Sequence, residues 1–362
     1  MSVQPIAAAD ALARLDAFSA IIDARSEDEH ALDHLPGALN WPSLNNDERV
    51  RVGTLFKQVS PFEARKLGAA LVARNIAAHI ERECLGKPKA WQPLVYCWRG
   101  GQRSGALALV LGQIGFRVHL IEGGYKAFRA ALLADTPVQA QRLRYRVVCG
   151  PTGSGKTRLL HALAAQGAQV LDLEALACHR ASVLGLIPGQ PQPSQKHFEM
   201  RVWDALRGFD AARCVYVEAE SKRVGNCTVP EALMDAMRAS DCLRVALAED
   251  ERVALLLEDY PFFVQDPEFF CARLETLTTL RGRAVVQDWQ TQARAGHTED
   301  VVRALLATHY DPGYARSTQR NFARFAQAQV VHLADRSAQA LAAAAAALLA
   351  DEAAGALPEG VA

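Results

Sequence analysis

Excess charge of either sign is missing: 40 lysines and arginines meet 40 aspartates and glutamates over 362 residues. No whole-molecule field can therefore steer the chain onto a polyanion or an anionic membrane, and any such contact must be a local patch. Cut near residue 140, the chain carries 16 basic and 14 acidic residues before the cut and 24 and 26 after it, so neither half is a basic module. Arginine outnumbers lysine 32 to 8, which reads as an Ala- and Arg-rich composition. A membrane-length apolar run is missing too. Asp10, Arg14 and Asp16 interrupt the first stretch, which is not expected to act as a secretory leader. The eight cysteines include no CxxC pair and no regular spacing. That argues against a disulfide framework or a zinc knuckle, and the expected compartment is the reducing cytoplasm. No internal repeat is visible.

What is there suits an ordinary globular chain. Half the residues are hydrophobic and 7% aromatic, enough for well-filled cores, and the length predicts two domains. Ala20–Ala24 reads as a buried strand ending in an acid, followed by the turn-rich Leu35–Asn40. Pro93–Cys97 reads as a strand running into a glycine-rich loop, a helix from Ser104 to Ile114, and a strand Phe116–Ile121. Strand, helix, strand is the unit of a parallel sheet. Residues 45–83 read as helical in their second part. The best linker is 134–141, after which Tyr145–Cys149 opens a second strand–loop–helix unit. Further strands are predicted at 169–173, 214–217, 243–248 and 329–333, a last helix at 338–349, and fraying beyond Asp351.

Two loops carry chemistry. In the first, Cys97-Trp-Arg-Gly-Gly-Gln-Arg-Ser104 sets a thiol at a strand end, before a helix start. Converging backbone N–H groups there make an anion nest, and Arg99 and Arg103 are expected to strengthen it. A thiol so placed should titrate below its ordinary value and act as a nucleophile. This loop, with Asp23-Ala-Arg25, His34-Leu-Pro-Gly-Ala-Leu-Asn-Trp-Pro42 and Glu122-Gly-Gly-Tyr-Lys-Ala-Phe128, resembles the rhodanese-like domains in order and spacing over about residues 20–130. It is one residue longer than the C-x-x-G-x-R-S loop common in that family, which predicts a larger pocket.

The second loop, Gly150-Pro151-Thr152-Gly153-Ser154-Gly155-Lys156-Thr157, fits G-x-x-x-x-G-K-[ST] between a strand and a helix. Its N–H groups would cradle a diphosphate, Lys156 would bridge the phosphate oxygens, and Thr157 could ligate magnesium. The partner acid is Glu218 at the end of Cys-Val-Tyr-Val, or else Asp172, with Glu220 behind both. The Asn-Lys-x-Asp signature of guanine readers is absent, which disfavours a GTPase. Asp172–Arg180 and Gln192–Glu199 are polar stretches near the expected mouth, with His179 and Arg180 open to a surface reading. Leu255–Phe263 reads as core that an apolar ligand pocket could share.

Together with Asp172-Leu-Glu174, Gln192-Pro-Ser-Gln-Lys196 and His309-Tyr-Asp-Pro312, the two loops make the chain resemble the bacterial tRNA 2-selenouridine synthase family over about residues 15–335. The resemblance implies an α/β protein with a rhodanese-like parallel-sheet domain (1–136), a P-loop α/β domain with a largely helical C-terminal part (137–350) and a disordered tail (351–362). It implies a transferase acting on the wobble base in the anticodon loop of tRNA. There 2-thiouridine would be S-alkylated by geranyl diphosphate, and selenium from selenophosphate would then replace the S-geranyl group. Cys97 would serve the selenium stage and residues 150–157 the prenyl stage. No tightly bound cofactor is expected. Arg180, Lys196, Lys222 and Arg223 are the first candidates for tRNA contact, ahead of the arginines between 281 and 324. Leu176, Leu184 and the Tyr260–Phe263 cluster are candidates for a lipophilic slot. The residues alone leave open an ATP-dependent tRNA sulfurtransferase carrying a Cys97 persulfide, or a nucleotide-binding redox regulator.

Overall fold

The computed structural model describes residues 3–180 and 189–355, which form two units. The first comprises Met1–Val138 and Pro193–Asp204, the second Gln139–Gln192 and Ala205–Ala362. In the first, β1 (Val3–Ile6), β2 (Ala20–Asp23), β3 (Leu39–Asn40), β4 (Pro93–Tyr96) and β5 (Val118–Ile121) form a parallel sheet in the order β1-β5-β4-β2-β3. Side chains alternate across it as a pleat requires. Ile21, Leu94 and Tyr96 join one core with Tyr125 and Phe128, while Ile22, Val95 and Cys97 join the other with Leu107 and Leu111.

In the second unit, β6 (Arg144–Cys149), β7 (Gln169–Leu171), β8 (Cys214–Glu218), β11 (Asp241–Ala246) and β12 (Gln329–His332) form a parallel sheet in the order β12-β11-β6-β8-β7. A small antiparallel pair, β9 (Arg223–Val224) and β10 (Cys227–Thr228), stands apart from it. Leu159, Leu160 and Leu163 of the helix after the phosphate loop, and Leu341 and Leu348 of the last helix, close one sheet face. A separate helical core gathers Phe263, Phe270, Leu274, Trp289, Val301 and Leu305.

Several expectations need correction. Residues 134–141 are not a linker but the end of the helix Gly124–Gln141, with Pro137 inside it. Proline removes one donor there, and Thr136 Oγ1 donates to the Leu132 carbonyl at 2.8 Å. Residues 45–83 are helical almost throughout, as Asn46–Gln58 and Pro61–Glu83, both capped by side chains, Asn45 and Ser60. Pro193–Asp204 belongs to the first unit because Met200 and Trp203 are buried in its core. The last helix reaches Gly355 rather than fraying at Asp351, held by Glu352, which accepts from the Tyr216 hydroxyl at 2.8 Å. All eight cysteines are thiols, and among the described residues no helix is long and apolar enough to cross a membrane.

Candidate functional site

β4 delivers Cys97 to its carboxyl end, where the sulfur is buried and accepts a hydrogen bond from Ser104 Oγ at 3.0 Å. Ser104 lies in the first turn of the helix Gln102–Ile114, so thiol and helix start are joined directly. The loop between them is pinned by backbone bonds: Tyr125 N–H donates to the Cys97 carbonyl at 2.8 Å and Lys126 N–H to that of Trp98 at 3.1 Å. Gly100 has φ +65°, and a Cβ there would come within 2.7 Å of the Ile121 carbonyl. Any side chain at Gly124 would meet the Cys97 carbonyl. Glycine is therefore required on both sides of this contact.

The expected pair of arginines divides. Arg99 is exposed, whereas Arg103 is bound to Glu29, with Nη1 2.7 Å from Oε2. Burial alone would raise the Glu29 carboxyl, but Arg103 and then Arg49 outweigh it and hold it below the usual carboxylate range. Arg103 therefore acts on the loop as half of an ion pair, not as a free cation. Beneath lies a buried charge network that the motifs only hinted at. Arg25 is 1% exposed, donates to Asp23 through Nε and Nη2 and to the Asp33 carbonyl through Nη2, and lies 4.1 Å from the Tyr125 ring centre. Tyr125 in turn donates to Asp33 at 2.5 Å and stacks on the half-exposed Trp98. For Asp23, burial raises the carboxyl, but hydrogen bonds from His30 and Arg25 leave it lowered on balance. Such a pair costs desolvation, which the hydrogen bonds of Arg25 to Asp23 and to the Asp33 carbonyl offset.

In the second unit the phosphate loop joins β6 to the helix Lys156–Ala165, with Gly153 and Gly155 at φ +77° and +86°. Lys156 Nζ donates to the Gly150 carbonyl at 2.8 Å and to that of Pro151 at 3.4 Å. Ser154 is buried. Arg252, unremarked in the sequence, donates to the Thr152 carbonyl at 2.8 Å and to Asp311 at 2.6 Å, bracing the loop from behind.

Of the two candidate acids, Glu218 is the one beside Thr157: the hydroxyl lies 3.3 Å from carboxylate oxygens of both Glu218 and Glu174. Asp172 instead caps the helix Leu173–Ala177, accepting from Ala175 N–H at 2.8 Å, and pairs with His161. Its short side chain and its place before a helix suit it to capping. Glu174, Glu218 and Glu220 offer ligand oxygens within 4.8 Å of one another. Burial, then Glu174, drive both Glu218 and Glu220 well above the usual carboxyl range. Three hard oxygen donors with unbalanced negative charge beside a threonine hydroxyl fit a divalent cation such as magnesium.

These residues open onto a cavity of about 860 Å³, whose lining includes Thr152 to Thr157, Glu174, His179, Arg180, Glu220, Tyr260, His309 and Tyr314. His179 is buried, not a surface residue, and Arg180 lies over the Tyr260 ring at 4.5 Å while donating to the Asp259 carbonyl. Beside it is an apolar recess of about 40 Å³ walled by Thr152, Leu256, Leu257, Tyr260, Phe263, Phe270, Val302, Leu305, Leu306 and Tyr310. Thr152, Leu256, Tyr260 and Tyr310 wall both. Tyr260 and Phe263 thus line the recess as the sequence suggested; Leu176 is not part of its wall, and Leu184 lies outside the described residues. Lys222 and Arg223 are exposed in this unit, and Lys196 is exposed in the first.

Comparison with known proteins is consistent in both halves. The family profile described as the tRNA 2-selenouridine synthase AAA domain matches residues 143–272, and that of the rhodanese-like domain matches 7–131. The chain is 32% identical to the tRNA 2-selenouridine synthase of Alcanivorax borkumensis over 81% of its own length and 88% of that protein. It is also 32% identical to the one of Cupriavidus necator, over 88% and 92% of the two chains. Its identity to the one of Aeromonas salmonicida is 34%, over 81% and 86%.

Proposed function

The chain belongs to the tRNA 2-selenouridine synthase family, and from that premise we propose that it converts wobble 2-thiouridine of tRNA to 2-selenouridine in two stages, using geranyl diphosphate and then selenophosphate. In the first stage the thiocarbonyl sulfur attacks the allylic carbon of geranyl diphosphate. A C–S bond forms, the C–O bond breaks, and diphosphate leaves with the electron pair while the base loses its N3 proton. Lys156 and the N–H groups of residues 150–157 hold the leaving charge. Magnesium, held by Thr157 and Glu218 with Glu174 and Glu220 nearby, would neutralise part of that charge. In the second stage the selenium of selenophosphate bonds to C2, the S-geranyl group leaves as a thiol, and the P–Se bond breaks as water takes the phosphoryl group and releases phosphate. Cys97, at the carboxyl end of β4 beside Ser104, receives or orients the selenium donor.

The observation that carries the prenyl reading over ATP is the recess sharing four wall residues with the phosphate-loop cavity. Apart from Thr152 and two tyrosines its wall is hydrocarbon, suited to an isoprenoid and poor in partners for the polar edge of adenine. A ten-carbon chain exceeds the 40 Å³ recess, so it would run on along Leu255 and Leu256 in the larger cavity. Exposed Lys222 and Arg223, with Lys196 and the cavity's Arg180, are the proposed tRNA contacts, and the site of action is the cytoplasm. Calorimetric titration with geranyl diphosphate and with ATP, each with magnesium, tests the choice. Tight prenyl diphosphate binding supports it. Micromolar ATP binding with tRNA-stimulated hydrolysis, and no response to the prenyl ligand, would replace it with an ATP-dependent sulfurtransferase.

A further inference from the structure

His309 of the C-terminal cavity takes no role in the two-stage scheme; it lies on the π-helical turn Leu306–Tyr310, between the helices Thr298–Leu305 and Asp311–Asn321. A π turn inserts one residue into a helix and rotates the turns beyond it, and such insertions recur at functional sites. Here it gives His309 and Tyr310 to the cavity wall while Asp311, the next residue, binds Arg252.

We propose that His309 is a fixed hydrogen-bond donor to the diphosphate in the phosphate loop, with its tautomer set by Arg281. This rests on the reading that residues 150–157 bind a diphosphate.

Arg281 Nε and Nη2 lie 3.1 and 3.0 Å from His309 Nδ1. A guanidinium has donors only, so Nδ1 must supply the lone pair and the ring proton must sit on Nε2. Protonating the ring would set an N–H against the guanidinium. Burial and then Arg281 accordingly hold His309 below the usual histidine range. The cation on Nδ1 also draws electron density from the ring and strengthens the Nε2–H donor. The cavity thus gains a neutral donor with no acceptor to offer, suited to a phosphoryl oxygen and not to an N–H of a base.

Position argues the same way. Two residues on, Asp311 meets Arg252 at 2.6 Å, and Arg252 meets the Thr152 carbonyl at 2.8 Å. The turn bearing His309 is thereby tied to the phosphate loop itself. Neutrality matters too, because another cation there would compete with magnesium for the nearby carboxylates.

Inorganic diphosphate with magnesium is the probe, titrated calorimetrically into the full-length wild type, His309→Asn, His309→Gln and Lys156→Ala. The Asn oxygen can replace Nδ1 toward Arg281 but offers nothing at Nε2; the Gln nitrogen reaches the Nε2 position. Loss of one donor predicts about tenfold weaker binding in His309→Asn, and His309→Gln within about threefold of wild type. Nitrogen-15 NMR of the wild-type imidazole should show the Nε2–H tautomer, its resonance moving when diphosphate is added. Equal affinity in wild type and His309→Asn, equal losses in the Asn and Gln variants, or an Nδ1–H tautomer would overturn the assignment. If His309→Asn binds normally while Lys156→Ala does not, the loop reading survives and this one fails. If the wild type does not bind diphosphate at all, both fail.

Discussion

The cysteine loop and the phosphate loop occupy the same address in two different sheets. Each follows the middle strand of a five-stranded parallel sheet, β4 in one and β6 in the other, and each leads into a helix. Open α/β sheets bind ligands at that point because the strands on either side send their connections in opposite directions. The electrostatics of the two loops are opposite, however. Around Cys97 the charges are matched: Asp23 with Arg25, Glu29 with Arg103. Around Thr157 three carboxyl groups crowd together and two of them are driven toward protonation. One topology thus supports a loop whose neighbouring charges are paired by its own side chains and another beside which three carboxyl groups crowd together.

The largest effects should come from cutting each loop at its reactive group. Cys97→Ser is expected to reduce selenium incorporation to background, with S-geranyl tRNA accumulating in nucleoside mass analysis. A variant that still makes selenouridine at wild-type rate would remove the thiol from the chemistry. Lys156→Ala should slow geranylation by about 10²–10³-fold, the cost of losing one charge-stabilising donor, while tRNA already geranylated still exchanges selenium. If both variants fail at the same stage, the division of labour between the loops is wrong.

Acid should act on the two regions in opposite senses. Asp23 and Glu29 are held below the ordinary carboxyl range, so they stabilise the fold above their unfolded values of about 4 and cease to do so as pH falls through their folded values. Glu218 and Glu220 are raised; their region is most stable protonated and weakens as pH rises from about 4.3 toward the folded values. Hydrogen exchange of peptides covering 20–33 and 214–221, in magnesium-free buffer, should give slopes of opposite sign, the first losing protection as pH falls below about 4 and the second as pH rises above about 4.3, with magnesium flattening the second. Slopes of the same sign would erase the contrast. The smallest effect expected is that of Arg103→Ala, which breaks one partly buried ion pair: a fall in Tm of about 1–3 °C by calorimetry.

Both candidate loops were legible in the sequence because short apolar runs end at the positions where the loops and their acids begin: Asp23, Cys97, Gly150 and Glu218. Partners brought together by long-range packing were not. Arg252 and Asp311 are 59 residues apart, and Arg281 and His309 are 28 apart, with no periodicity linking them. Glu174 stood in view within Asp172-Leu-Glu174, but a sequence cannot say which acid caps the helix and which faces the threonine. β1 escaped because only Ile6 of its four residues is buried, which leaves no alternation to read. Pro137 misled for a local reason: a missing donor marks a break, unless the helix around it is held by its packing, as it is through Phe128 and Leu132.

Trp98 has an optical consequence. The protein has five tryptophans, and Trp41, Trp91, Trp203 and Trp289 are each 5% exposed or less, against 36% for Trp98. A collisional quencher dissolved in the buffer therefore reaches the indole beside Cys97 far more readily than the other four. Iodide or acrylamide quenching thus reports on this loop in the unlabelled, unmutated enzyme. On the proposed role of Cys97, a heavy selenium atom arriving one residue away should dim the same emission from within, turning delivery of the chalcogen into a signal that can be followed in a stopped-flow cell.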